Sequence, residues 1–244
     1  MIDAAIRLAR SAGYTNAGTA EFLVDGAQFY FLEVNARLQV EHPVTEIRFG
    51  CDLVAEQLKL AAGGRVSPPL EPRGCAIECR IYAEDSDHGF RPAVGTVLGL
   101  RLPAGPGVRF DTHLTNRTEV SAFYDGLLGK LICFGAEREE ARRRMLAAFD
   151  EFAILGVTNT AAFLRDLVAS EEFKRADLST RFLERFSIVP DPDEIDAALV
   201  AAALVDAGMI GSGSSSVLLS ADGAAPANRS PWSGLRDFEL WRRQ

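Results

Sequence analysis

Strict alternation of polar and apolar residues over positions 33 to 41 constrains this chain more than any other feature of its sequence. Every second residue there is polar: Glu33, Asn35, Arg37, Gln39 and Glu41. Successive side chains of a strand point to opposite faces, so this period of two predicts an extended segment, ended by Pro43, with its polar groups on one face. An ordinary amphipathic surface strand shows the same alternation, so the pattern alone leaves both interpretations open.

The chemistry of these polar residues favours a binding site. On a strand, Glu33 and Asn35 lie roughly 6.7 Å apart and can direct two oxygen ligands into one small volume. Magnesium prefers such oxygen ligands, usually one or two carboxylates completed by phosphates and water. Arg37 offers a planar set of donors that suits a small oxyanion. Glu41, next to this arginine along the segment, is a candidate general base.

A second carboxylate, Glu21, lies on the preceding strand-like segment. The apolar runs 17–24 and 27–35 are separated by Asp25-Gly26, a dipeptide typical of tight hairpins. A two-residue Asp25-Gly26 loop would place Glu21 and Glu33 on opposite faces, whereas a three-residue bulged loop would place them on the same face. The alternation is compatible with both.

The rest of the chain predicts an α+β fold. Helical patterns cover 2–12, which is amphipathic, and a segment that Asp52 can cap and that stops at Gly63. A polar stretch with three prolines follows at 65–73. Beyond it, short strand-like runs are separated by glycine and proline and predict a mostly antiparallel sheet. They lie at about 75–83, 95–102, 107–111 and 127–134. Helical patterns return at about 137–152, 159–169 and 179–186.

Three regions follow from this organisation. We expect one domain over 1–71 and a second over 72–187. Residues 188–244 combine an Ala-rich helical pattern at about 193–207 with a Ser/Gly stretch from Gly211 to Ser216, and are expected to form a linker and the start of a following domain.

Composition excludes several classes of function. A net charge of −8 without a Lys/Arg stripe argues against nucleic acid as a partner, and the run Arg142 to Arg144 is expected to pair with nearby glutamates on a helix. No apolar run is long enough for a membrane span, and the first residues lack the pattern of a secretory signal, so we expect an intracellular protein. Four cysteines without a CxxC pair and three scattered histidines argue against structural zinc.

The stretch from Glu33 to Glu46 resembles the signature of biotin carboxylases and of the related ATP-grasp carbamoyl-phosphate synthetases. Its segment Gln39-Val40-Glu41-His42-Pro43 is typical of the biotin-dependent branch. The resemblance covers residues 1 to about 187 and continues in Ala17-Gly18-Thr19, Glu21-Phe22-Leu23, Glu56-Gln57-Leu58, Glu78-Cys79-Arg80-Ile81, Ala83-Glu84-Asp85, Tyr124-Asp125, Gly129-Lys130-Leu131-Ile132, Gly156-Val157-Thr158-Asn159 and Thr180-Arg181-Phe182-Leu183-Glu184. It implies the C-terminal part of an ATP-grasp domain followed by the biotin carboxylase C-terminal α+β domain.

The resemblance also implies roles for individual residues. The ligands of Mg²⁺ (or Mn²⁺) at the phosphates of ATP would be Glu21, Glu33 and Asn35. The bicarbonate site would be lined by Arg37, Gln39 and Val40. Glu41 would take the proton of bicarbonate, and Arg80 would stabilise negative charge on the ureido oxygen of biotin. The implied reaction converts ATP and bicarbonate into carboxyphosphate and then carboxylates biotin.

Partners and location follow from the same resemblance. No Ala-Met-Lys-Met-like site is present, so biotin is expected on another domain or chain, a biotin carboxyl carrier domain. A carboxyltransferase subunit and a homodimer through the C-terminal domain are also expected, in the cytoplasm, or in the mitochondrial matrix of a eukaryote. The segment from Ser230 to Leu240 resembles the start of the domain that follows the carboxylase in acyl-CoA carboxylase subunits.

Several residues depart from the family pattern or have a plainer explanation. The glycine-rich loop and ATP-contacting lysines of the family are not among these 244 residues, so the isolated chain is expected to lack ATPase activity. Thr112 to Arg117 differs from the usual version. The alternating run 75–82 predicts Cys79 and Ile81 inward and Arg80 outward, where Arg80 could form a cross-strand ion pair. His42 is expected to be a hydrogen-bonded structural residue, and Lys130 a structural residue or an ion-pair partner. The competing functions are a non-catalytic remnant or interaction domain, and half of a carbamoyl-phosphate synthetase.

Overall fold

A computed structural model describes residues 1–68 and 70–186, together with Val200 and Ala203. The chain divides into two compact units, Met1–Ser179 and Thr180–Gln244. In the second unit the described residues include one short helix, α7 (Phe182–Arg185), and the helical residues Val200 and Ala203. Apart from those two residues, the region from 188 onward, with its predicted helix, linker and domain start, lies outside the described residues. The predicted domain boundaries stay predictions.

The first unit begins with a helix and a hairpin. Helix α1 (Ile2–Ser11) confirms the amphipathic pattern, and strands β1 (Thr19–Asp25) and β2 (Gln28–Asn35) form a two-stranded antiparallel sheet. The turn closes at the pair Asp25 and Gln28, with Gly26 at a φ of 57°, a backbone conformation that glycine adopts without steric cost. The register then shifts after the pair Glu21 and Glu33, because Leu32 has no partner in β1.

This bulge decides the question that the alternation leaves open. A β-bulge adds one residue to one strand and reverses the alternation beyond it. Without the bulge, the register of the turn would pair Glu21 with Leu32. With it, Glu21 lies directly opposite Glu33 on the same face. The turn itself is a two-residue Gly26-Ala27 loop, so the shared face comes from an irregularity within β2 and not from a three-residue loop.

The expectation that the chain stays extended as far as Pro43 is wrong. Strand β2 ends at Asn35, residues 36–41 form an irregular loop, and helix α2 (His42–Phe49) begins immediately afterwards. Pro43 lies in the first turn of that helix, where its missing N–H has no intrahelical partner to lose. Helix α3 (Leu53–Ala61) is capped by the Asp52 carboxylate, which accepts a hydrogen bond from Ala55 N, as the sequence predicts.

The second sheet carries the core. Its strands are β3 (Cys75–Tyr82), β8 (Val108–Thr112) and β10 (Leu127–Gly135), in the order β3-β10-β8 and antiparallel throughout. Six short strands pair antiparallel beside it, β4 with β5, β6 with β9 and β7 with β11: β4 (Glu84–Asp85), β5 (Arg91–Pro92), β6 (Gly95–Thr96), β7 (Gly99–Arg101), β9 (Glu119–Val120) and β11 (Ala153–Leu155). The antiparallel α+β prediction is confirmed.

Three helices complete this part of the fold: α4 (Arg138–Glu151), α5 (Ala161–Ala169) and α6 (Glu171–Arg175). The core face of the sheet contributes Ile81, Leu131 and the buried thiol of Cys133, and α4 contributes Met145. The basic run on α4 pairs with glutamates of the same helix, as predicted; Arg142 contacts Glu139 and Arg144 contacts Glu140. Within the described part of the chain, no helix has the length and apolar character that crossing a membrane requires.

Candidate active site

Two carboxylates and an amide meet on the hairpin. Glu21 and Glu33 are cross-strand partners, and the Asn35 amide lies beside them. Asn35 Nδ2 donates hydrogen bonds to Glu21 Oε1 at 2.8 Å and to Glu33 Oε1 at 3.1 Å. The structure thus brings together the three residues expected to bind metal. The partly positive N–H groups of the amide thus point at two negatively charged carboxylates. A rotation of the amide would present its oxygen instead.

This arrangement suits a divalent cation. Like charges directly opposite each other on a strand pair are destabilising, so the Glu21–Glu33 pair carries a cost that a bound cation would remove. Two carboxylates and an amide oxygen match the hard ligands of Mg²⁺, which leaves further positions for phosphates and water. No group of three or more His, Cys, Asp or Glu side chains suited to a metal occurs within residues that the structure describes.

The loop of residues 36–41, here called the anion loop, is joined to these carboxylates. Gln39 Nε2 donates to Glu21 Oε1 at 2.6 Å. His42 stabilises the loop, since its backbone N–H donates to Gln39 O and its Nδ1 lies 2.9 Å from the same oxygen. The predicted structural role of His42 is confirmed.

Arg37 and Glu41 are the exposed charged members of the anion loop. Arg37 Nη1 donates to Leu38 O at 3.2 Å, and its guanidinium makes no salt bridge with any residue in the described ranges. Glu41 immediately precedes helix α2. The loop therefore presents a free planar cation and a carboxylate to solvent, which is the combination that binding and deprotonating a small oxyanion requires.

Lys130 connects the anion loop to the second sheet. Its Nζ donates a hydrogen bond to Val40 O at 2.9 Å, between residues that are 90 positions apart. The same nitrogen lies 3.7 Å from Asp111 Oδ2, so the predicted ion-pair role of Lys130 is confirmed. The contact with Val40 was not predicted, and no local pattern in the sequence indicates it.

Arg80 lies on β3 directly opposite Lys130 of β10. The predicted alternation of β3 is confirmed, because Cys79 and Ile81 are buried whereas Arg80 is exposed. The cross-strand ion pair considered for Arg80 is not found among the described residues. Arg80 is thus the exposed cation of this strand pair, and its guanidinium can stabilise a developing anion.

Helix α2 is fixed over the polar face of this sheet by a charge network. Arg109 of β8 donates to both oxygens of Asp111 at 2.8 Å and to Glu46 Oε2 of α2 at 2.8 Å. Burial alone would raise the pKa of Asp111, but the hydrogen bonds and charge of Arg109 lower it overall. Since the anion loop runs directly into α2, this network also limits where the loop can lie.

Glu78 is a group that the sequence analysis missed. Both oxygens of its carboxyl are buried, and neither has a hydrogen-bond partner in the described part of the chain. Burial raises the pKa of Glu78 to about 7; the charges of Lys130 and Arg80 lower it, while those of Glu41 and Asp111 raise it further. Its position two residues before Arg80, on the outward face of β3, was the available signal.

Family comparisons agree with this geometry. Two family models match the chain, described as Carbamoyl-phosphate synthase L chain, ATP binding domain, at residues 1–68, and Biotin carboxylase C-terminal domain, at residues 78–185. The α+β fold is shared with solved biotin carboxylase structures. The chain belongs to the biotin carboxylase family, of which it matches the C-terminal part.

Individual relatives support the same family. The chain is 45% identical over 191 residues to the Biotin carboxylase of Nostoc sp., covering 77% of this chain and 43% of that protein. It is 43% identical over 197 residues to the mitochondrial Propionyl-CoA carboxylase alpha chain of Homo sapiens, covering 78% of this chain and 27% of the relative. The chain thus spans less than half the length of these relatives.

A solved structure shares the fold. It is the biotin carboxylase domain dimer of the Hydrogenobacter thermophilus 2-oxoglutarate carboxylase, in complex with MgADP, ADP and bicarbonate. The TM-score is 0.73 at 36% identity, over 76% of this chain and 43% of the other.

Proposed function

We propose that this chain provides the metal, bicarbonate and biotin-facing groups of a biotin carboxylase, an ATP-dependent ligase that carboxylates biotin through carboxyphosphate. One observation carries the proposal. Asn35 donates hydrogen bonds to both facing carboxylates, Glu21 and Glu33, and Gln39 of the anion loop donates to Glu21. Lys130 attaches the same loop to the sheet, next to Arg80 on the neighbouring strand. Residues far apart in sequence thereby form one polar constellation.

The facing carboxylates and the Asn35 amide would hold Mg²⁺ or Mn²⁺ against the phosphates of ATP. A metal bound there neutralises charge on the phosphates and orients them for transfer. Asn35 would turn its oxygen towards the metal, and Gln39 keeps Glu21 in place through their hydrogen bond. The comparison structure that contains MgADP and bicarbonate supports this ligand class.

Bicarbonate would lie at the anion loop, in contact with Arg37, Gln39 and Val40. Glu41 would accept its proton, which makes the bicarbonate oxygen nucleophilic towards the terminal phosphorus of ATP. The exposed Arg37 guanidinium would bind the anion with two parallel donors, since no carboxylate among the described residues occupies it.

Arg80 would act in the second half of the reaction. Carboxyphosphate would break down to carbon dioxide and phosphate, and the phosphate would accept the N–H proton of biotin as that nitrogen attacks carbon dioxide. Negative charge would develop on the ureido oxygen, and an exposed guanidinium on a rigid strand can stabilise it. Because the strand is fixed by the buried sheet, Arg80 needs little reorganisation at that moment.

We further propose that biotin arrives on a carboxyl carrier domain and that carboxylated biotin then serves a carboxyltransferase subunit, with an acyl-CoA as acceptor. The name of the human relative, a propionyl-CoA carboxylase chain, supports this acceptor class. The proposed domains are 1–71 and 72–187, and the second would form the homodimer contact. The dimer named for the 2-oxoglutarate carboxylase supports this assembly. The compartment would be the cytoplasm, or the mitochondrial matrix of a eukaryote.

Domain replacement tests the proposed function. Residues 1–186 of this chain replace the matching region of the Nostoc biotin carboxylase, and bicarbonate-dependent ATP cleavage is measured with free biotin. We expect activity in the hybrid. Glu41→Gln should lower turnover by about 100-fold or more while the affinity for ATP barely changes, because size and hydrogen bonding are kept but proton acceptance is lost.

The matched control is Glu71→Gln, the same change at an exposed carboxylate outside the site, which should leave turnover unchanged. Arg80→Lys should reduce biotin carboxylation more than ATP cleavage without biotin, because the planar donors are lost while the charge stays. A folded hybrid that binds ATP but is inactive, or near-parental carboxylation by both site variants, would contradict the proposal and favour a non-catalytic role.

A further inference from the structure

We propose that Lys130 is a positioning residue that fixes the anion loop against the second sheet and so sets the spacing between the bicarbonate-binding groups and Arg80. The inference deepens the proposed function and rests on it for the identity of the anion. Its geometrical part, the attachment of the loop, stands on the contacts of Lys130 alone.

The ammonium group of Lys130 is largely buried and hydrogen-bonded. The Lys130 side chain is 12% exposed, and a lysine that is so deeply buried requires partners for its charge. Its short contact is the neutral carbonyl of Val40 at 2.9 Å, while the carboxylate of Asp111 is more distant at 3.7 Å. Asp111 is already engaged by two donors of Arg109. The backbone of the anion loop is therefore the principal hydrogen-bond partner of this cation.

Lys130 also fixes the orientation of the peptide group between Val40 and Glu41. In a trans peptide the C=O and the following N–H point in opposite directions. With Val40 O directed at Lys130, the N–H of Glu41 points away from that nitrogen, and it donates to no other group in the described part of the chain. A hydrogen bond to a charged donor is stronger than one between neutral groups, so Lys130 fixes this peptide more firmly than a neutral side chain would.

Lys130 also links the anion loop to the other candidate groups. It is the cross-strand neighbour of Arg80, and Gln39, the residue before Val40 in the loop, donates to Glu21. A displacement of Val40 from Lys130 would therefore move the anion loop relative to both Arg80 and the paired carboxylates. If Lys130 served only to pack, its aliphatic stem would suffice and an apolar residue of similar length could replace it.

Hydrogen exchange of the full 244-residue chain tests the attachment. We compare the wild type with Lys130→Met, which keeps the length of the side chain but removes the donor, and with Lys174→Met as a matched control at an exposed ion pair on α6. In Lys130→Met the amides of His42 and Val44, which donate to Gln39 O and Glu41 O, should exchange about tenfold faster or more, as expected for the loss of a hydrogen bond to a charged group. Lys174→Met should leave them unchanged.

Lys130→Arg keeps a cationic donor and should lie closer to the wild type than Lys130→Met, and circular dichroism reports whether each variant is folded. Equal exchange at His42 and Val44 in the wild type and Lys130→Met would overturn the proposal, as would equal acceleration by Lys130→Arg and Lys130→Met. In the hybrid enzyme, Lys130→Met should raise the KM for bicarbonate about tenfold or more while the KM for ATP changes little. Equal changes in both constants would overturn the positioning role. An inactive wild-type hybrid would instead contradict the proposed function, and the exchange data would still decide whether Lys130 fixes the loop.

Discussion

The hairpin that carries the paired carboxylates and the sheet that carries Arg80 are stabilised in different ways. Strands β1 and β2 contain no buried residue, and large apolar side chains such as Phe31 and Leu32 are more than half exposed. In the sheet of β3, β8 and β10, by contrast, Ile81, Leu131 and Ile132 are fully buried. One half of the candidate site therefore lies on a rigid core, while the other depends on hydrogen bonds and on what binds to it.

The physical reason lies in what each region can bury. A two-stranded hairpin is marginally stable in water unless its faces pack on other elements, and buried apolar area is the main source of stability. We therefore expect the paired carboxylates to be more mobile than Arg80 in the absence of ligand. The contacts of Gln39 and Lys130 are the means by which the more rigid half restrains the other.

The largest effect should come from truncating the core. Leu131→Ala removes a fully buried side chain and should lower the free energy of unfolding by about 3 kcal/mol, through lost burial and the cavity that remains. Leu23→Ala, the same change at a residue that is 52% exposed on the hairpin, should cost under about 0.5 kcal/mol. Urea unfolding of the 244-residue chain measures both. Similar losses would show that the hairpin is packed as firmly as the sheet.

A smaller effect is expected from the buried carboxyl of the sheet. Because burial raises the pKa of Glu78 to about 7, the folded protein retains a proton that the unfolded chain releases near pH 4.5. This group therefore stabilises the protein at low pH, and the contribution falls as pH rises towards 7.

Glu78→Gln removes that dependence. The difference in free energy of unfolding, wild type minus variant, should be greater at pH 5 than at pH 8. We expect a change of about 1 to 2 kcal/mol, since the Glu78 residue as a whole is only partly buried. Urea unfolding at the two pH values measures it, with Glu119→Gln as the control at an exposed carboxylate of β9. A difference that does not change with pH would show that Glu78 ionises normally.

The smallest effect concerns the facing carboxylates of the hairpin. Glu33→Gln removes one of two like charges, so amides of β1 and β2 should exchange up to about fivefold more slowly without metal, which corresponds to about 0.2–1 kcal/mol of relieved repulsion. Addition of Mg²⁺ should slow exchange in the wild type but not in the variant. Glu71→Gln serves again as the matched control. Faster exchange in Glu33→Gln without metal would contradict the repulsion between Glu21 and Glu33.

Much of this molecule could be predicted from local sequence. The alternation of β3 correctly places Cys79 and Ile81 inside and Arg80 outside, and Asp52 caps its helix as expected. These predictions succeed because side-chain periodicity and capping depend on residues a few positions apart. The prediction that residues 33–43 are extended was wrong for a related reason, because alternating polar and apolar residues are typical of a strand even where the chain does not form one. A proline at the first turn of a helix is locally indistinguishable from one that ends a strand.

The family, the α+β class and the choice of candidate site residues could be predicted from the chain alone, because they depend on residue types in a fixed order. How those residues meet depends on the folded protein. The bulge at Leu32 turns Glu21 to the face of Glu33, and Lys130 reaches Val40 across 90 positions. Strand register and burial are properties of pairs of segments distant in the chain, so no local pattern encodes them.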